Sequence, residues 1–258
     1  MSSPDSNTRK TVLITGGSEG IGAACVKQFL QRGWNVAAVA LPGSNSPECG
    51  NDFLFLEGDI RSEQTRAAVV ESCIERFGKI DVLVNNAAVG LYAPPSTANI
   101  DLCRRLLDVN VLAALGMAQL VIPQMRQRRS GTIVTIGSVG GYVSLPWAVI
   151  YCASKFAVHA VSDSLRRELK QDGIHVLKVC PGIVATRFRE NVLGGTAPAD
   201  VEAIRRIVTP EAVAKSVLRG IDRHASAVYI PRIGRLFTAM DFVAPWLMDW
   251  YIARKWSR

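Results

Sequence analysis

The chain predicts an α/β fold, a doubly wound and mostly parallel sheet covered by helices on both faces to make three layers. Three observations carry this reading. Short runs that are apolar on both faces alternate with longer helical stretches, a glycine-rich stretch follows the first of those runs directly, and residues able to do chemistry recur where the runs end.

Strand-like runs fall at 11–15 (TVLIT), 35–40 (NVAAVA), 53–58 (FLFLEG), 80–87 (IDVLVNNA), 131–138 (GTIVTIGS), 174–182 (IHVLKVCPG) and 227–231 (AVYIP). Helical segments separate them at 20–32, 62–77, 101–127, 149–171 and 210–221. A strand apolar on both faces has to be covered on both, and two parallel strands can be joined only by a crossover, for which the intervening helices have the length. This is the Rossmann pattern. With 258 residues, 48% of them hydrophobic, the chain can bury one large core. Residues 8–235 are read as a single domain and 236–258 as an apolar, aromatic helical extension. The stretch 187–208 is the least regular and is expected to form a substrate lid.

Composition narrows the partners. Thirty Lys and Arg against 22 Asp and Glu give a net charge of +8, but the basic residues scatter, with short clusters only at 126–129, 166–170 and 254–258. No nucleic-acid partner is expected from such a distribution, although anionic ligands suit it. The opening MSSPDSNTRK has no apolar core of a secretory signal, and nowhere do 18 apolar residues run uninterrupted. Cysteines 25, 49, 73, 103, 152 and 180 match no metal-ligand or C-x-x-C spacing. No metal is therefore expected, and a reduced, cytoplasmic setting is.

The first run leads straight into TGGSEGIG at 15–22, which places Gly16, Gly20 and Gly22 where strand turns into helix. Glycine lets the backbone approach a pyrophosphate closely, and the helix start offers unpaired N–H groups and a positive dipole end. GDI at 58–60 puts Asp59 either near an adenine amino group or at the N-cap of the next helix. VNNAA at 84–88 ends the fourth strand and Ser138 the fifth, so both share the sheet edge of the glycine loop. Tyr151 and Lys155 lie four apart on a helical segment and project from one face. A phenol ordinarily titrates near ~10, and a neighbouring ammonium together with an oxidised nicotinamide would favour the phenolate. Tyr151 could then serve as acid or base, while Ser138 hydrogen-bonds the oxygen on which charge changes during hydride transfer.

TGGSEGIG, NNAA, the Asn110 of LLDVNVLA, Ser138, YCASK at 151–155 and PGIVAT at 181–186 stand in the order and spacing of the short-chain dehydrogenase/reductase family, and the similarity covers about residues 10–232. The chain therefore resembles a single-domain NAD(P)-dependent oxidoreductase, commonly a homodimer or homotetramer. The resemblance implies a tetrad of Asn110, Ser138, Tyr151 and Lys155. In it Tyr151 passes the proton, Lys155 lowers the tyrosine's pKa and binds the nicotinamide ribose, Ser138 orients the substrate oxygen, and Asn110 holds a water that links Lys155 to solvent. It also implies cofactor contacts from Gly16, Ser18, Glu19, Gly20, Ile21 and Gly22, from Ala40, from Asp59 and Ile60, from Asn86, Ala87 and Ala88, and from Pro181, Gly182, Val184 and Thr186, with Tyr151 and Lys155 contributing again. Ala88 departs from the glycine that the family usually has.

NAD(H) users of this fold place an acid at the end of the second strand, and NADP(H) users a base nearby. This chain has Ala40 and Leu41 there. Glu19 would repel a 2′-phosphate if it pointed inward, whereas GSNS at 43–46 could bind one; the balance favours NAD(H). The substrate, a small-molecule alcohol or carbonyl, is expected among 89–97, 140–150 and 187–208. Tyr142, Val143, Leu145 and Trp147 make the middle stretch apolar, which suits a lipophilic or bulky secondary alcohol or ketone, or else a core or dimer contact. In the extension, Phe242, Trp246, Leu247, Trp250 and Tyr251 are expected on one broad helix face, followed by Arg254, Lys255 and Arg258. Packing on a partner subunit is the first use expected for that face, a peripheral membrane anchor the second and a cap over the substrate the third. A nucleotide sensor without turnover, or an epimerase or dehydratase on the same fold, are the rival functions.

Overall fold

The structure is a computed structural model and describes residues 9–195 and 207–256. Seven parallel strands form one sheet in the order β3-β2-β1-β4-β5-β6-β7, where β1 is Thr11–Thr15, β2 Asn35–Ala40, β3 Phe53–Glu57, β4 Val82–Asn85, β5 Gly131–Ile136, β6 Ile174–Pro181 and β7 Ala227–Ile230. The order reverses between β1 and β4, so the chain leaves those two strands toward opposite sides and opens a crevice at their carboxyl ends.

Every residue of β1, β2 and β4 is buried, as a strand covered on both faces must be. On one face α1 (Gly20–Gln31) and α6 (Pro210–Asp222) enclose a core that includes Cys25, Phe29, Val213 and Val217. On the other, α2 (Glu63–Phe77) and α4 (Ala114–Arg128) bury Val69, Val70, Met117, Val121 and Met125, and α5 (Val149–Glu168) lies beside β6. Helix starts are fixed locally. Ser62 caps α2 by accepting from the Thr65 N–H at 3.2 Å, and Thr209 caps α6 with Pro210 in its first turn.

Two expected helices differ from their expected form. The segment read as 101–127 is α3 (Ile100–Leu107), a π-helical stretch at Asp108–Ala113 and then α4. Its 29 residues are apolar enough by length and composition to cross a membrane, yet α4 packs into the second core. The extension is two helices, α7 (Gly234–Val243) and α8 (Pro245–Trp256), because Pro245 can only begin a helix and Ala244 before it leaves the helical region at φ −142°, ψ 65°. The single apolar face expected there is therefore split, with Phe242 on α7 and Trp246, Leu247, Trp250 and Tyr251 on α8.

Candidate active site

The carboxyl ends of the central strands, the glycine loop and the α7–α8 pair enclose one cavity of about 1510 Å³. It runs from Ser44, Asn45 and Arg61 at one end, past Gly16, Ala87 and Tyr151, to Phe237, Met248 and Ile252 at the other.

The first end is built from backbone. Gly16 and Gly20 adopt φ of +66° and +56°, a region that only glycine enters freely. Asn86 laces the loop to β1 by donating from Nδ2 to the carbonyls of Thr15 (3.0 Å) and Gly16 (2.9 Å). Ser18, Glu19, Ile21, Ala40, Ile60, Ala88, Pro181, Gly182, Val184 and Thr186 line the cavity too. Gly22, expected as a cofactor contact, does not: a Cβ there would stand 1.9 Å from the Gly16 carbonyl oxygen, so its place is beneath the loop. Glu19 is the N-cap of α1 but makes no side-chain cap, and the first turn holds no acid. The N–H groups of that turn are left to an anion, and with the glycine cradle above them these residues fit the pyrophosphate of a dinucleotide.

Glu19 lines the cavity with its carboxylate engaged by protein. Its carboxylate accepts from Arg187 Nη2 and Asn191 Nδ2, both at 2.5 Å, and ties the glycine loop to the start of the expected lid. Asp59 is not the cap of α2, which is Ser62. It faces the cavity with its carboxylate gripped by the Arg61 guanidinium at 2.6–3.1 Å, and this hydrogen bonding holds it below the ordinary carboxylate range. The end of β2 presents Ala40 and Leu41, then Gly43, Ser44 and Asn45, with no ionisable group among them.

In the middle of the cavity α5 carries Tyr151 and Lys155 one turn apart, with Lys155 Nζ 5.8 Å from the centre of the tyrosine ring. Ser138, just past β5, lines the cavity with Tyr151, and its hydroxyl accepts from the Gly140 N–H at 3.0 Å. Lys155 is 4% exposed and donates to the Ile136 carbonyl at 3.0 Å, and burial pulls its pKa down to about 8. The lowering of the tyrosine pKa expected from Lys155 is not what this arrangement produces. Burial dominates and pushes the phenol above its ordinary range, the Ser138 contact opposing it only in part, because the ammonium is directed at a carbonyl rather than at the hydroxyl. Tyr151 is therefore held as a neutral phenol.

Asn110 stands behind these groups rather than in the cavity. Its Oδ1 accepts from the Val89 N–H at 2.8 Å, and its Nδ2 donates to the Val89 carbonyl and Ser154 Oγ, both at 3.0 Å. The side-chain amide is thus spent on protein and is not left free to hold a water.

The far end is apolar. Val89, Tyr92, Val143, Leu145 and Phe188 line it, as do Phe237, Met248, Tyr251 and Ile252 of the extension. Of the four residues expected from the 140–150 stretch, Tyr142 and Trp147 are absent from this wall. Tyr142 turns back onto His159, and Trp147 faces a separate small hollow with Leu91 and Ile150. Arg187, Phe188, Arg189 and Asn191 supply the lid side, while 196–206, the side chain of Lys255 and Arg258 lie outside the described residues. No cluster able to hold a metal occurs among the described residues. The contribution of α8 is the least legible part in advance, though its spacing held the signal. Met248, Tyr251 and Ile252 sit three and four apart on one face, and Trp246 and Trp250 on another.

Comparison with known proteins agrees with this geometry. The profile described as short chain dehydrogenase matches residues 10–195. The dehydrogenase/reductase SDR family protein 7-like of Anopheles gambiae is 30% identical over 262 residues, covering 95% of this chain and 83% of that one. The 17-beta-hydroxysteroid dehydrogenase type 1 of Mus musculus is 36% identical over 201 residues, 73% of this chain and 58% of that one. Among solved structures, a 3-ketoacyl-(acyl-carrier-protein) reductase from Brucella melitensis complexed with NADH superposes with a TM-score of 0.78 at 26% identity, covering 86% of this chain and 96% of that one. The chain belongs to the short-chain dehydrogenase/reductase family. It is an NAD(P)-dependent oxidoreductase acting between hydroxyl and keto groups.

Proposed function

We propose that the chain interconverts a bulky, lipophilic secondary alcohol and its ketone, with Tyr151 handling the proton. The observation that carries this reading is the meeting of Tyr151, Ser138 and Lys155 at the boundary between the polar, glycine-built end of the cavity and an end walled by Val143, Leu145, Phe188, Met248 and Tyr251. When bound, the nicotinamide cofactor supplies or accepts hydride. The Ser138 hydroxyl then donates to the substrate oxygen; in the reductive direction the Tyr151 phenol gives its proton to that oxygen and is left as phenolate, and in the oxidative direction the phenolate takes the proton from the alcohol as hydride leaves its carbon for the nicotinamide. Lys155 keeps positive charge beside the phenol and is placed to bind ribose hydroxyls. Asn110 fixes the 88–90 segment that borders the same space.

For the cofactor we favour NAD(H). Residues 40–45 offer no cation to a 2′-phosphate, and the guanidinium of Arg61 is already paired with Asp59. A homodimer or homotetramer is proposed as the assembly, and the cytoplasm, which suits the free thiols, as the location. The outer side of α7 and α8 exposes Leu236, Phe242, Val243, Trp246 and Trp250 beside Arg235 and Arg254, a combination that fits a partner subunit or peripheral contact with a bilayer. The reading is tested with two probes suggested by the relatives: estradiol with NAD+, and acetoacetyl-CoA, a small ketoacyl thioester, with NADH. Turnover of the steroid above the thioester is expected, and a strong preference for the thioester would reject the lipophilic pocket.

A further inference from the structure

Helix α5 carries another buried polar side chain with no part in the chemistry described so far. His159 follows Lys155 by one turn and Tyr151 by two, and it is 4% exposed. Its Nε2 accepts a hydrogen bond from the backbone N–H of Ser138 at 3.3 Å. The serine's own loop closes round the ring. A Cβ at Gly137 would stand 2.1 Å from His159 Nε2, and one at Gly141 would stand 2.5 Å from Cε1, so a side chain at either end of 137–141 would displace the imidazole. Within that loop Ser138 Oγ accepts from the Gly140 N–H, so the turn fixed around the ring also sets the direction of the hydroxyl. Tyr142 packs on the imidazole at 4.5 Å between ring centres. Tyr142 is itself held by the Tyr229 ring at 5.8 Å and by the Lys178 ammonium at 5.5 Å, the latter paired with Asp163 at 2.6 Å.

We propose that His159 is a positioning residue for Ser138, a neutral imidazole that anchors the serine's backbone and so aims its hydroxyl at the oxygen shared with Tyr151. The inference rests on the role given to Ser138 above. Only an unprotonated Nε2 can accept the Ser138 N–H; a protonated ring would set one N–H against another. The surroundings enforce the neutral form, since burial first, then the nearby Lys178 and Lys155 cations, push the His159 pKa down to about 3. Cys180 Sγ lies 3.8 Å from the same nitrogen, and burial pushes its thiol up to about 11, so it faces the ring as a thiol rather than as a charge. The ring proton is left on Nδ1, beside Gly141.

The test compares wild type with H159L, H159Q, S138A and the H159L/S138A double variant, using whichever of estradiol or acetoacetyl-CoA the wild type turns over. H159L should lower kcat by about tenfold while the Kd for NADH stays within about twofold. H159Q, whose amide oxygen can accept the same N–H, should recover most of that loss. In the S138A background the leucine should cost almost nothing further, because the serine through which it acts is gone. Thermal melts identify any variant that fails to fold. Independently of turnover, 15N spectra should show His159 Nε2 as an unprotonated acceptor from about pH 8 to about pH 5, and the Ser138 amide slow to exchange. A full kcat in folded H159L, additive losses in the double variant, or a protonated Nε2 would each overturn the proposal. If the wild type turned over neither probe, the substrate reading would be what failed, and the nitrogen spectrum would still decide the role of His159.

Discussion

The two ends of the cavity are made by different means. At the nucleotide end the wall is backbone: glycines with φ only they enter freely, N–H groups at the start of α1, and an asparagine lacing two strands together. At the substrate end the wall is side chains, borrowed from the 89–92 segment, the start of the lid and the α7–α8 pair. Topology dictates the first, because the switch point of a doubly wound sheet forms a crevice whatever the ligand. Nothing in the sheet dictates the second, so it is free to differ between members of the family and to set the substrate.

Predictions separate the two ends by what each substitution leaves intact. Tyr151→Phe removes the proton donor that both ends serve. Turnover should fall about 10³-fold with NADH affinity unchanged, measured by steady-state rates beside a binding titration. Gly22→Ala attacks the nucleotide end alone: the new Cβ would meet the Gly16 carbonyl oxygen at 1.9 Å, the loop must move, and NADH affinity should weaken about tenfold or more together with a lower Tm. Met248→Ala strikes the substrate end, because this 1% exposed side chain closes the apolar wall. It should raise KM for the steroid probe by about three- to tenfold and spare the Kd for NADH. If Met248→Ala weakened NADH as much as substrate, the division between the ends would be wrong.

The smallest effect is on stability. Below about 6.5 the unfolded chain takes up protons that the folded His159 refuses until about 3, and burial lowers the His175 pKa in the same direction. Both pKa values are depressed on folding, so the unfolded state binds more protons in that window and stability falls as pH is lowered through it. The slope should be at most about 1.4 kcal/mol per pH unit for each histidine. In melts between about pH 7 and about pH 5, H159Q should flatten this fall without abolishing it, since His175 remains.

How much of this was legible follows from the same division. All seven strands lie where apolar runs stand between turns, and the glycine loop, Asp59, Asn86, Ser138, Tyr151 and Lys155 meet in one cavity as their places at strand ends and on one helix face require. The π-helical stretch at Asp108–Ala113 was not legible, because one extra residue in a turn leaves an apolar period that still reads as helix. Nor could the apolar stretch 142–147 reveal that Val143 and Leu145 face the cavity while Tyr142 and Trp147 do not; an aromatic residue reads alike whichever cavity it fills. His159 gave no signal at all, since its importance lies in a backbone N–H twenty-one residues away.

The central claim is that a dinucleotide site and a proton donor meet at Tyr151. It is tested most directly by titrating wild type and Tyr151→Phe with NADH and NADPH, following energy transfer from tryptophan, and then adding estradiol and NAD+ to each. The account predicts saturable NADH binding, tighter than NADPH and equal in the two proteins, with turnover only in the wild type. Failure of both nucleotides to bind, or undiminished turnover in Tyr151→Phe, would contradict it.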